Sequence, residues 1–383
     1  MKHCAALLVS MLLGACAGPQ VAPPDERLFN DRLFLAPSVR IDADDVFAVS
    51  DSMRQFVRTE FTGPGRTQHP QQALVDALYT KGRLGLAYDS VMTRNAAEAF
   101  DARAGNCLSL VIMTAAFARE IGLPIRYQRV DVDEVWSRSG DVYLSIAHVN
   151  LALSKRNIDD RFGRGDGEFL TIDFLPGQDI RRARTQVIGE QTIVAMYMNN
   201  RAAESLVEGR LDDAYAWARS AIRQDPGFPN SYNTLGAIYQ RHGNSKEALE
   251  VLAYALERDP LNTHVMSNLV LVLNDLGRVS EANALARKVA QLEPDPPFSF
   301  YHRGMAAVRE GNFTAARDLF ATEVRRAPYY HEFHFWLAVA YVGLGDIDQA
   351  RMQLKLAMEL SSTAKDQTLY AAKLARINSN HNP

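Results

Sequence analysis

Leu235-Gly236-Ala237-Ile238-Tyr239 returns three periods later as Leu337-Ala338-Val339-Ala340-Tyr341, and the period is 34 residues. Gly209, Gly243, Gly277, Gly311 and Gly345 keep the same step, and so do Ala214, Ala248, Ala282, Ala316 and Ala350. Pro226, Pro260, Pro294 and Pro328 follow it too. Repetition at a fixed period signals one supersecondary unit stacked many times. The residue types say which unit. A glycine where a first helix ends supplies the left-handed or tight backbone of a helix terminus. An alanine five residues later, early in a second helix, lets two helices approach closely. A proline beyond the second helix stops it. The unit is a helix-turn-helix, with larger apolar residues at the remaining core positions.

This pattern resembles the tetratricopeptide repeat (TPR), and it covers residues 195–362 as five repeats. The first departs from the family, with Arg201 and Ala202 where Leu and Gly are usual, as a terminal repeat facing another domain does. Residues 363–383, containing Leu369 to Arg376, are expected to form a C-terminal capping helix and tail. The resemblance implies an all-α superhelix whose concave groove binds a protein or peptide, as substrate or partner. The dense aromatic run from Tyr329 to Trp336 is expected to supply mostly the core of adjacent helices.

The other end of the chain reads as an address. Met1-Lys2-His3 is followed by a short apolar run to Leu13 and then by small residues. That is the layout of a signal peptide, and the run is too short to span a bilayer. Leu13-Gly14-Ala15-Cys16 resembles the bacterial lipobox. The resemblance implies a signal peptide over 1–15, lipid on Cys16, and a membrane anchor through that lipid. Residues 16–40 are then the lipidated cysteine and its tether, rich in Pro and Gly up to Pro24. Ala17 rather than Asp, by resemblance to Gram-negative lipoproteins, implies a cell-envelope protein on the outer membrane facing the periplasm.

Composition narrows the function. Hydrophobic residues are 47%, charged residues 23%, and the net charge is −3. A disordered or collagen-like chain is excluded, and no basic footprint points to nucleic acid as a partner. Of three cysteines, Cys4 leaves with the signal peptide and Cys16 carries lipid. Cys107 is left as a lone thiol in an oxidising compartment.

Residues 41–190 have a different texture. Helical patterns up to Ala118 give way to strand-like stretches over 126–132, 142–153 and 168–174, with a turn-rich loop at 159–167. Helices followed by antiparallel strands predict an α+β domain. Gly105-Asn106 precedes a long apolar helix that ends at Gly122-Leu123-Pro124, so Cys107 stands at the helix N-terminus. Unpaired N–H groups and the positive end of the helix dipole favour a thiolate there. His148 lies mid-strand, and Asp173 lies on the next strand. Adjacent antiparallel strands place an imidazole and a carboxylate side by side. The carboxylate would orient the ring, and the ring would hold the cysteine as thiolate.

The motifs Gly105-Asn106-Cys107, Ala147-His148-Val149-Asn150 and Ile172-Asp173-Phe174, in that order, resemble the transglutaminase-like family related to papain. The resemblance implies that Cys107 is the nucleophile on a carboxamide or peptide carbonyl. His148 would be the acid and base, and Asp173 would orient it. The chain then reads as a thiol peptidase or amide hydrolase, or a transamidase. The Cys107 backbone N–H is a natural oxyanion donor, and the second donor has no signature. Trp136 is a candidate gate or substrate contact. The alternative from another class is a non-catalytic TPR adaptor with a degenerate transglutaminase-like fold. No Cys-x-x-Cys, His-Glu-x-x-His or phosphate-binding loop occurs, so neither a metal nor a cofactor is implied.

Overall fold

A computed structural model describes residues 23–61, 70–80, 84–89, 92–139, 142–154, 169–174, 183–361 and 363–380. The signal peptide, Cys16 and the 159–167 loop lie outside the described residues. So does the side chain of Trp136.

The N-terminal half is arranged around one helix. After α1 (Asp51–Phe61), α2 (Pro70–Tyr79), β1 (Ala87–Tyr88), α3 (Ala96–Ala102) and β2 (Ala104–Gly105) comes α4, Cys107–Glu120. Every residue of α4 from Cys107 to Ala118 is buried. A helix apolar on all sides must be covered on all sides. α1 brings Met53 and Val57 from one face, one helical turn apart, and α2 brings Leu74 and Leu78. Phe117 on α4 meets Phe56 and Phe100 at ring-centroid distances of 5.5 and 5.7 Å. Each such side chain contributes about 1.5–3 kcal/mol on full burial.

A four-stranded antiparallel sheet covers another side of α4. It contains β3 (Ile125–Ser139), β4 (Val142–Ser154), β5 (Phe169–Ile172) and β6 (Arg184–Ile188), in the order β5-β4-β3-β6. β4 packs on α4. The β3–β4 register runs regularly to Val130↔His148 and resumes at Val135↔Ile146. The irregularity therefore lies on β3 between Val130 and Val135, beside the pair that holds His148. Bulges of this kind re-aim side chains beside functional sites. β6 was not legible in the residue pattern, being an edge strand exposed at four of its five residues.

The repeats follow directly. α5 (Glu190–Val207) pairs with α6 (Leu211–Gln224), α7 (Pro229–Arg241) with α8 (Ser245–Arg258), and α9 (Thr263–Asp275) with α10 (Val279–Leu292). α11 (Ser299–Arg309) pairs with α12 (Phe313–Arg326), and α13 (His331–Gly343) with α14 (Ile347–Leu360). α15 (Ala364–Asn380) packs on α14. The repeat glycines are all left-handed, Gly243 with φ of 87°. The repeat alanines are buried where the two helices of each pair meet.

Two features of the assembly are not in the repeat pattern. One continuous apolar core runs from Leu28 through α4 and the sheet into the first three repeats, as far as Ala282. A second core, around Phe298, Phe320 and Leu337, belongs to the last two repeats. Between them lies Pro294-Asp295-Pro296-Pro297, where α10 and α11 scarcely touch. Phe298 there is left-handed, with φ of 63°.

The second feature corrects the expected extent of the tether. Residues 25–38 are not a free linker but lie on the first two repeats. Phe34 stacks on Tyr215 at 4.0 Å and 6°. The Tyr239 hydroxyl donates to Leu28 O and accepts from Asn30 N, at 3.0 and 2.8 Å. The Asp213 carboxylate accepts from Ser38 N at 2.6 Å and from Ser38 Oγ at 2.7 Å.

Gly243 and Gly236 separate two kinds of glycine requirement. A Cβ on Gly243 would meet nothing within 4 Å, so Gly243→Ala is expected to cost only left-handed strain, about 1–2 kcal/mol. A Cβ on Gly236 would stand 2.5 Å from the Leu252 side chain, so Gly236→Ala is expected to loosen the α7–α8 contact as well. Urea unfolding of both variants, with hydrogen exchange over α7 and α8, checks the difference.

Candidate functional site

The site begins at the start of α4. Asn106, with extended φ and ψ, caps the helix, and its Oδ1 accepts from Ser109 N at 2.9 Å. Helical bonding starts at Leu110 N to Asn106 O, 3.0 Å. The N–H groups of Cys107 and Leu108 therefore have no partner within the helix. The thiol of Cys107 is buried, with 2% of the residue exposed.

The cap is itself held. Asn106 Nδ2 donates to Thr93 Oγ1 at 2.9 Å, and Ser109 Oγ accepts from Arg94 N at 2.8 Å. The Thr93 hydroxyl also accepts from Asn200 Nδ2 on α5, 3.2 Å. Thr93 N donates to Glu204 Oε1 at 2.7 Å, and Arg201 Nη1 bridges Glu204 Oε2 and Thr93 O at 3.0 and 3.3 Å. Burial raises the Glu204 carboxyl above its ordinary pKa, against the opposing pull of Arg201 and Thr93. The first repeat thus reaches the cap of α4 through one threonine. Arg201 departs from the repeat pattern because it has this task.

His148 and Asp173 are brought together. Asp173 follows the last residue of β5 and is not within the strand. His148 Nε2 lies 2.7 Å from Asp173 Oδ2, and Asn150 Nδ2 donates to the same oxygen at 3.0 Å. Strand alternation puts His148 and Asn150 on one face of β4. Tyr79 Oη donates to the Asp173 backbone carbonyl at 2.9 Å, and its ring stacks on Phe174 at 5.9 Å. Burial first, and then the Asp173 charge, push the Tyr79 phenol up to about 12.

Cys107 approaches the same imidazole. Burial alone would discharge His148, but hydrogen bonding to Asp173 and Cys107, with the charges of both, raises its pKa to about 9. Nε2 is turned to the carboxylate. The other nitrogen, Nδ1, is fully buried. Of the three residues singled out in the sequence, His148 and Asp173 are in direct contact, and the charge of Cys107 acts on the same ring.

Tyr88 completes the surroundings. β1 pairs in parallel with β2 and sets Tyr88 opposite Gly105. Burial raises the Tyr88 phenol above its ordinary pKa, followed by the charges of Cys107, Tyr329 and Asp89. Tyr329 belongs to the turn before α13. Asn150 stood beside His148 in the sequence motif with no role of its own, and its partner here is Asp173. Tyr88, Thr93 and Glu204 were not legible in the sequence, because the pairings that bring them here are tertiary.

Tetratricopeptide repeat family models match residues 217–250 and 301–362. The chain carries tetratricopeptide repeats. Over 89 residues it is 33% identical to the small glutamine-rich tetratricopeptide repeat-containing protein 2 of Mycosarcoma maydis, covering 23% of this chain and 25% of that protein. The chain thus spans about a quarter of the length of that relative. A thermophilic TPR protein of Thermus thermophilus is similar over 47% of this chain and 99% of its own, at 19% identity and a TM-score of 0.30. The Pseudomonas aeruginosa pilF protein is similar over 50% of this chain and 87% of its own, at 19% identity and a TM-score of 0.30.

The pKa of His148 has a consequence for stability. The ring ionises near 6.5 when unfolded and near 9 when folded. Its charge therefore favours the folded chain fully below about pH 6.5, and this contribution is lost as pH rises through about 9. His148→Gln is expected to flatten that part of the stability curve. Urea unfolding at about pH 6 and about pH 9.5 measures it.

Proposed function

We propose that this chain is a thiol peptidase or amide hydrolase, or a transamidase, of transglutaminase-like type, whose repeats hold a polypeptide for the site. The observation that carries the reading is the His148–Asp173 pair at 2.7 Å, with Cys107 at the first position of a capped helix and acting on the same imidazole. The steps follow from that placement. The Cys107 thiolate attacks the carbonyl carbon, a C–S bond forms, and the carbonyl electron pair moves to oxygen. As that pair returns, the C–N bond breaks, and the His148 imidazolium gives its proton to the departing amine. The neutral ring then takes a proton from water or from an acceptor amine, which attacks the thioester and restores the thiol. Asp173, held by Asn150, keeps Nε2 of the ring turned toward itself throughout.

The repeats fit the same reading. Tetratricopeptide repeats suggest protein–protein interaction, and the charge of Tyr329, before α13, reaches Tyr88. A polypeptide seated between the last repeats and the N-terminal half would pass the thiol. The lipobox-like Leu13-Gly14-Ala15-Cys16 supports a lipid anchor in the cell envelope. With 25–38 docked on the repeats, the tether of such an anchor is the short stretch before Asp25.

Cys107→Ala is expected to abolish amide chemistry while changing stability by no more than about 1–2 kcal/mol. Iodoacetamide should label Cys107 rapidly at about pH 6 and at least about tenfold more slowly in His148→Ala. Equal labelling rates in the two proteins would remove the thiol–imidazole pair from the argument. The repeats would then be the working part, and the adaptor reading would take over.

A further inference from the structure

The nucleophile, its ring and its carboxylate leave one part of such a centre unassigned. The oxygen that becomes negative on attack needs two donors. The Cys107 N–H, without a partner inside α4, is one. We propose that the phenol O–H of Tyr88 is the other, so that Tyr88 is a catalytic residue of this centre; the inference rests on the thiol-acyl-transfer reading of the site. Three observations lead to it. The β1–β2 pairing fixes the Tyr88 backbone opposite Gly105, two residues before the nucleophile, through Ala87 N to Arg103 O at 2.9 Å and Asp89 N to Gly105 O at 3.0 Å. The neighbouring Asp89 is paired with Arg94 at 2.8 Å, which leaves Tyr88 as the residue of this stretch that can serve the thiol. Burial first, and then the charge of Cys107, raise the Tyr88 phenol above its ordinary pKa, in keeping with that backbone pairing.

The chemistry suits the role. Burial already disfavours ionising this phenol, and a Cys107 thiolate nearby would add a like charge, so the phenol keeps its proton. It therefore remains a donor across the pH range in which the thiolate reacts. It becomes most useful once the thiolate charge has passed to the carbonyl oxygen. A donor aimed at the developing charge, and fixed before the reaction, stabilises the transition state without reorganisation. The short parallel β pair does the fixing, by joining residue 88 to residue 105.

The test uses two reagents that both consume the Cys107 thiolate and differ in the oxyanion. p-Nitrophenyl acetate acylates sulfur through a tetrahedral intermediate: the C–S bond forms, the carbonyl oxygen becomes negative, and p-nitrophenolate leaves. Iodoacetamide alkylates sulfur by direct displacement of iodide, with no oxyanion. In the full chain, Tyr88→Phe is expected to slow acylation by about 100-fold or more and to leave alkylation within about twofold. Because the phenylalanine keeps the ring, unchanged alkylation also reports an intact site. Acylation within about twofold of the unsubstituted protein would overturn the assignment. A parallel loss in both reactions would overturn it too, and would make Tyr88 a partner of the thiolate itself. Slow alkylation of the unsubstituted protein at about pH 6, unaffected by His148→Ala, would instead overturn the underlying reading of the thiol.

Discussion

A helix buried on every side has to satisfy its first turn without water, and in this chain that constraint falls on Asn106. Cys107 to Ala118 of α4 are covered by α1, α2, α3 and the sheet, so the orphan N–H groups of the first turn face protein. The cap takes the Ser109 N–H and is anchored in turn by Thr93. Asn200, Arg201 and Glu204 complete the arrangement from the first repeat. The same few bonds therefore end a helix, place a thiol and join two halves of the chain. Removing the Thr93 hydroxyl would leave Asn106 Nδ2 buried without its acceptor, a loss of about 1–3 kcal/mol concentrated at the nucleophile.

The joining has a structural counterpart in the core. The N-terminal half and the first three repeats share one apolar interior, while the last two repeats have their own. Three prolines in four residues separate the two cores at 294–297, where the helices on either side barely meet. The docked segment 25–38 reinforces the first body with an aromatic stack and a line of hydrogen bonds. Five repeats in sequence thus have two apolar cores in space.

The site shows the same division of labour between local and long-range signals. Asn106 before a long apolar run announces a helix start, and the helix duly begins at Cys107. Alternation along β4 places His148 and Asn150 together, and both meet Asp173. The irregular register of β3 just beyond Val130, the partner of His148, left no such trace. A bulge depends on how two strands meet and not on either alone. Arg201 looked like decay of the repeat pattern and is instead half of the Thr93 clamp. Its meaning lies in residues more than a hundred positions away.

By itself, the amino-acid sequence determined the repeat unit, its period, the left-handed glycines between paired helices and the residue types of a thiol, an imidazole and a carboxylate. Those are local matters. Backbone preference, helix periodicity and side-chain chemistry act within a few residues and are written there directly. The tertiary structure alone decided that residues 25–38 lie on the repeats, that the array divides at 294–297, and that Tyr88 shares the surroundings of Cys107. Each of these depends on which surfaces find one another once apolar area leaves water. That choice is made by shape and burial over the whole chain, and no short window of sequence contains it.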